Sequence, residues 1–293
     1  MLFRSLACTF ASSLTQFTMN DIRITTTQVG AGVGLSLTWP EDFDHGFQSR
    51  IMLTNCTFAG GDDYTQGWQI GSRISQADNG SFINCTWKGV GGSPSTFTQI
   101  ANTVSQHGCE ILGRYSPTDF HFTSCWFYCW QVGLYVGDTA EGIICTSCTF
   151  VEVMSGIIWA TGFWSLNYPT NPGGNASGRP QLVMVGCHVN CFLNAVSTNG
   201  VVSIHISDGL FYHIDRAGQS GNLIQVINST ECIIHDCELW SFNTIYGTNG
   251  IIFASNVSGS FVRNCVFVSS GSTSMQIGVW LQSGTNHNRV EGI

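Results

Sequence analysis

Glu110 is the acid whose neighbours best suit gripping a sugar. It stands mid-run in Gly108-Cys109-Glu110-Ile111-Leu112-Gly113. Similar runs carry Gln69 in Gly67-Trp68-Gln69-Ile70-Gly71 and Tyr135 in Gly133-Leu134-Tyr135-Val136-Gly137. An amide, a carboxylate and an aromatic ring in a row offer hydrogen bonds and an apolar face for a sugar ring. Glycoside hydrolysis uses two carboxylates about 5–9.5 Å apart. Asp138 and Glu141 follow the Tyr135 run and are the candidate catalytic partners of Glu110. The competing readings are a solvated surface glutamate at 110 and an Asp138 that only closes the turn after Gly137.

Trp68, Arg114, Asp62 and Asp63 complete the candidate substrate-binding set. Strand alternation sends Trp68 inward, beneath this row. Asp62-Asp63 follow Gly60-Gly61 and lie near Tyr64. Adjacent aspartates in a glycine turn act as turn formers or a weak cation site, with too few oxygens for a dedicated calcium site. Arg73 and Arg114 are the nearest bases for an elimination reaction instead of hydrolysis.

Other chemistries fare worse. Cys145-Thr146-Ser147-Cys148 is a C-x-x-C, and Cys125/Cys129 and Cys187/Cys191 are four apart. Zinc needs two such pairs converging, and strand alternation splits each pair between faces, so no metal site is expected. A thioredoxin-like motif needs a βαβ setting that is missing here. The histidines form no H-E-x-x-H cluster, and no Gly-x-Ser-x-Gly elbow appears. No cofactor is implied.

The elements that position these residues repeat. Ile51-Met52-Leu53-Thr54-Asn55-Cys56-Thr57-Phe58 returns as Ser81-Phe82-Ile83-Asn84-Cys85-Thr86-Trp87, and again around Cys125, Cys148, Cys187, Cys237 and Cys265. Gly209 fills the same slot once, and Cys8 is assigned to it too. The steps are 48, 29, 40, 23, 39, 22, 28 and 28 residues. A unit of 22–29 residues with insertions explains them, the longest step hiding a turn near Asn20-Asp21-Ile22. Each unit holds short β-type runs between Gly, Ser, Asn and Asp turns, and no stretch has a helical apolar period of useful length.

Such a pattern specifies an all-β, right-handed parallel β-helix of about 9–11 coils, stacked at about 4.8 Å. The Cys slot is then a tight inner corner where a small, buried thiol fits and stays reduced. Phe58, Trp87, Phe127, Phe150 and Phe267 follow it as an inner aromatic ladder. Insertions fall at 88–107, 162–180 and 37–48. Residues 1–293 read as one domain. Both ends look like interrupted repeats, which predicts a longer protein or covering partners.

Bulk properties narrow the partners. Charged residues make up 10% of the 293, Lys88 is the only lysine, and the net charge is −8. Nucleic-acid binding needs clustered basic residues, so it is excluded. No apolar run reaches the roughly 18 residues of a membrane span, and Arg4 splits the only signal-like stretch.

The Asn-Cys-Thr-Phe corners and Gly-x-x-Val runs resemble right-handed parallel β-helix proteins of the pectate-lyase-like class. Within it the chain looks most like the central body of bacteriophage tailspikes, over nearly its whole length. The resemblance implies a homotrimer on a virion tail that binds bacterial surface polysaccharide and often hydrolyses it with paired carboxylates. It supplies no catalytic residue by motif, because the calcium-binding acidic cluster with catalytic arginine of pectate lyases has no counterpart here. The alternatives are a non-enzymatic virion appendage or adhesin whose solenoid is a spacer, and a polysaccharide lyase.

Overall fold

The computed structural model describes residues 5–10, 15–40, 49–61, 66–90, 97–112, 119–137, 140–159, 181–214, 220–242, 247–269 and 275–292. Ten short strands, from Gln16–Asn20 to Arg289–Glu291, stack as one parallel sheet. A 17-stranded sheet takes the rest of each coil. The chain is a parallel β-helix, as the repeat predicts.

One coil shows the rule. Arg50–Thr54 runs in the ten-stranded sheet, and Asn55-Cys56 turns the corner. Thr57–Ala59 and Ile70–Ser75 then run in the larger sheet, and Asn79–Ile83 starts the next coil. In two coils the paired strands merge into one long strand, Thr149–Trp159 and His188–Asn199.

The corner has a backbone cause. Asp21, Asn55, Asn84, Ser124, Ser147, Gly186, Asp208, Asp236, Asn264 and Gly292 all take a left-handed φ, between +50° and +62°. Only glycine, or a short polar side chain that bonds locally, sits there cheaply. These residues also bond along the stack: Asn55 Nδ2 donates to Asp21 Oδ1 at 3.0 Å, and Asn264 Nδ2 to Asp236 Oδ1 at 3.1 Å.

The cysteine that follows is more than small. Cys56 Sγ donates to the carbonyl of Met19 on the coil before, at 3.3 Å. Cys85, Cys125 and Cys148 do the same to Leu53, Phe82 and Phe122. All thirteen thiols are free, and all but Cys8 are buried. Burial pushes the Cys109 thiol up to about 12, and raises Cys191 and Cys232 further.

The assignment of Cys8 to a corner is corrected. Cys8 lies inside the strand Leu6–Thr9, opposite Leu37. The first described corner is Asp21-Ile22, the turn hidden in the 48-residue step. Identity alone misplaced Cys8: Ala7 before it does not take the left-handed turn that defines a corner.

Inside, identical positions stack. Phe58, Trp87, Phe127 and Phe150 are fully buried, with successive ring centroids 5.6, 4.7 and 4.6 Å apart. Phe82 and Phe122 stack in the next column at 4.5 Å. Each such side chain contributes roughly 1.5–3 kcal/mol by burial. The insertion before His107 carries a short helix, Phe97–Ala101, whose Ile100 packs with Val90, Cys129 and Phe192 in a small second cluster. No helix among the described residues is long and apolar enough to cross a membrane.

Candidate functional site

A glycine column sets the register of the strands that carry Glu110. A Cβ on Gly71 would fall 2.5 Å from the Gly108 carbonyl oxygen and 2.9 Å from the Trp87 ring. One on Gly108 would meet the Gly133 carbonyl at 2.5 Å, and one on Gly133 the Phe150 ring at 2.6 Å. No side chain fits, so the backbones close down over the aromatic ladder. Two residues past each glycine the side chain emerges on the outer face. Arg73, Glu110 and Tyr135 are therefore cross-strand partners on successive coils, followed by Ile158.

These side chains form one cluster. Arg73 Nε donates to Glu110 Oε2 at 2.5 Å. His107 Nδ1 lies 2.6 Å from the other carboxylate oxygen. The His107 ring stacks on Tyr135, with centroids 4.5 Å apart and planes 2° from parallel. Glu110 is only 5% exposed, whereas the Arg73 side chain is 38% exposed. Burial works against ionisation of Glu110. The hydrogen bonds from His107 and Arg73, with their charges, outweigh it and hold the carboxyl below its usual range. A carboxylate held this way serves as base, nucleophile or anion partner, not as the proton donor.

The strand start is fixed from both sides. Gln69 O accepts the amides of Gln106 and His107 at 2.9 and 3.1 Å. Gln131 Nε2 donates to the carbonyls of Ala101 and Thr103 at 2.9 and 3.1 Å, tying the helical insertion to the next coil.

Several expectations change. Gln69 is exposed but is not the cross-strand neighbour of Glu110; Arg73 is, because Gly71 and not Gly67 aligns with Gly108. Glu110 faces outward as predicted, yet its neighbours bury it. Trp68 is corrected as a substrate-binding residue: it is fully buried, against Gly34, and offers no ring face to solvent. Glu141 lies past the corner, just before Gly142–Thr146 of the ten-stranded sheet, where its carbonyl accepts the Gln181 amide at 2.6 Å. It is thus not on the strand row of Glu110. Asp62, Asp63, Arg114 and Asp138 lie outside the described residues.

His107 is the member that sequence reasoning missed. Strict alternation puts positions 107 and 110 on opposite faces. The tight glycine step at Gly108 breaks the alternation and brings them together.

The outer face of the ten-stranded sheet holds an open surface pocket of about 170 Å³, lined by Arg50, Asn79, Gly80, Ser81, Asp119 and His121. It is smaller than the roughly 300 Å³ at which ligand pockets begin. Comparison with protein-family models gives no match, and none of the curated proteins matches the chain in sequence.

Proposed function

We propose that this chain is the solenoid body of a tailspike-type protein that binds bacterial surface polysaccharide. The binding face is the one that carries Arg73, His107, Glu110 and Tyr135. The observation behind it is the preorganised cluster itself. A half-exposed guanidinium is pinned by a buried carboxylate, beside an imidazole stacked on a phenol ring. Groups already fixed lose little side-chain freedom on binding, and flat stacked coils suit an extended polymer. The same reading takes the assembly as a homotrimer on a virion tail, which equilibrium sedimentation checks for oligomeric state.

In a hydrolytic version Glu110 is the ionised partner, and Asp138 remains the candidate for the protonated carboxyl. One observation favours the non-enzymatic reading instead: both oxygens of Glu110 are already engaged, by Arg73 and His107. The experiment is binding of purified capsule or O-antigen of the host, with chromatography for released oligosaccharides. Arg73→Ala and Tyr135→Ala should each weaken binding at least tenfold. Unchanged binding in both variants, or no binding by the parent, sinks the proposal. Binding without released fragments selects the non-enzymatic version.

A further inference from the structure

The geometry points to a divalent transition-metal site at His205 and His235, on the outer face of the ten-stranded sheet. His205 lies in Ser203–Ser207 and His235 in Glu231–His235, neighbouring parallel strands. The register places them diagonally, His205 opposite Ile233 and His235 opposite Ser207. Their Nε2 atoms stand 3.0 Å apart. Two imidazole nitrogens on one tetrahedral metal, each at about 2.0–2.1 Å, are about 3.3 Å apart. A widening of a few tenths of an ångström, with rotation of the two rings so that both lone pairs converge on one point, turns this hydrogen-bonded pair into a chelate.

The surroundings favour the metal form. Asp236 Oδ2 accepts from His235 Nδ1 at 2.5 Å, and Asn264 Nδ2 holds the other oxygen at 3.1 Å. A proton kept on Nδ1 leaves the Nε2 lone pair directed at His205. This carboxylate–histidine arrangement is the one that orients and strengthens metal-bound imidazoles. Asp236 itself sits at a left-handed corner, directly after Asp208 in the corner column, and Arg263 is the cross-strand neighbour of His235 on the following coil. When the metal binds, the proton on His205 Nε2 moves to Nδ1, so no net charge need leave.

Two imidazoles leave coordination positions for water or an added ligand. Among the described residues no three His, Cys, Asp or Glu side chains come together so that they could hold a metal, so this pair supplies two protein ligands and is not a closed structural centre. Zn²⁺, Co²⁺, Ni²⁺ and Cu²⁺ suit imidazole, whereas Mg²⁺ and Ca²⁺ prefer oxygen. The thiols are enclosed, since every cysteine except Cys8 is buried.

The test is titration of the metal-stripped chain with CoCl₂ and ZnCl₂, by absorbance and calorimetry. The expected result is one site per chain, with cobalt d–d bands and no thiolate charge-transfer band. His205→Ala and His235→Ala should each abolish that site. Asp236→Asn should keep the fold and weaken binding by about 10–100-fold. His121→Ala, on the same sheet face, should bind as the parent does. A thiolate band, or parent-like affinity in either His205→Ala or His235→Ala, overturns the assignment. Parent-like affinity in Asp236→Asn overturns the orienting role.

Discussion

Replacing Glu110 by Gln removes one charge and almost no volume, so it isolates the electrostatic part of the cluster. The carboxylate makes two charge-assisted hydrogen bonds, to Arg73 at 2.5 Å and His107 at 2.6 Å. Such bonds contribute about 1.5–3 kcal/mol each, and their neutral counterparts about 1 kcal/mol. The amide oxygen keeps one of these bonds, and the NH2 group can only donate to His107 Nδ1 once the ring proton sits on Nε2. Arg73 is more than a third exposed, so solvent screening reduces its share. The net loss comes to about 1–2 kcal/mol at neutral pH. The pH dependence follows from the direction of the shift. The folded-state carboxyl ionises below its unfolded value of about 4.3, so its contribution is complete above that pH. It drains away as the pH falls through the lower folded-state value. Urea unfolding of parent and Glu110→Gln at pH 7 should therefore show the gap, and the same pair near pH 3 should show it shrinking. A variant as stable as the parent at pH 7, or a gap that does not change with pH, refutes the ionised, locked carboxylate.

Two further outcomes bear on the scaffold. Cys125→Ala removes the thiol that donates to the Phe82 carbonyl at 3.3 Å, and it opens a small void at the corner. It should cost about 1–2 kcal/mol in denaturant unfolding; parent-like stability would refute both the hydrogen bond and the packing role of the thiol. His213 is wholly enclosed, and desolvation depresses its pKa to about 4. The unfolded chain takes up its proton near pH 6.5, so stability falls between that pH and 4, by about 3 kcal/mol from this group. His213→Leu should flatten that part of the stability–pH curve, and an unchanged slope would mean the proton is taken up elsewhere.

The fold was legible because its signal is repeated. Each corner needs a left-handed residue and then a small buried one, and Asn55-Cys56, Asn84-Cys85 and Asn264-Cys265 state that requirement in the same words. Cys8 shows the limit: the thiol alone, without the turn residue, marks a strand. Inner columns tolerate such errors, because every coil presents an apolar residue to the same column. The outer face does not. Gly67 and Gly71 are four apart, so either aligns with Gly108 while keeping the same side chains outward. The alternation therefore came out right for Gln69 and Glu110, while the neighbour of Glu110 came out wrong. The strand register decides for Arg73, with Gly71 standing where a Cβ would strike the Gly108 carbonyl and the Trp87 ring. His107 was hidden for a related reason, since the backbone step at Gly108 has no sequence signature apart from glycine itself. Chemistry on a β-solenoid depends on which unlike residues meet across coils. That is fixed by the few glycines that lock register, and a search for function on such folds should align those glycines before it compares the acids.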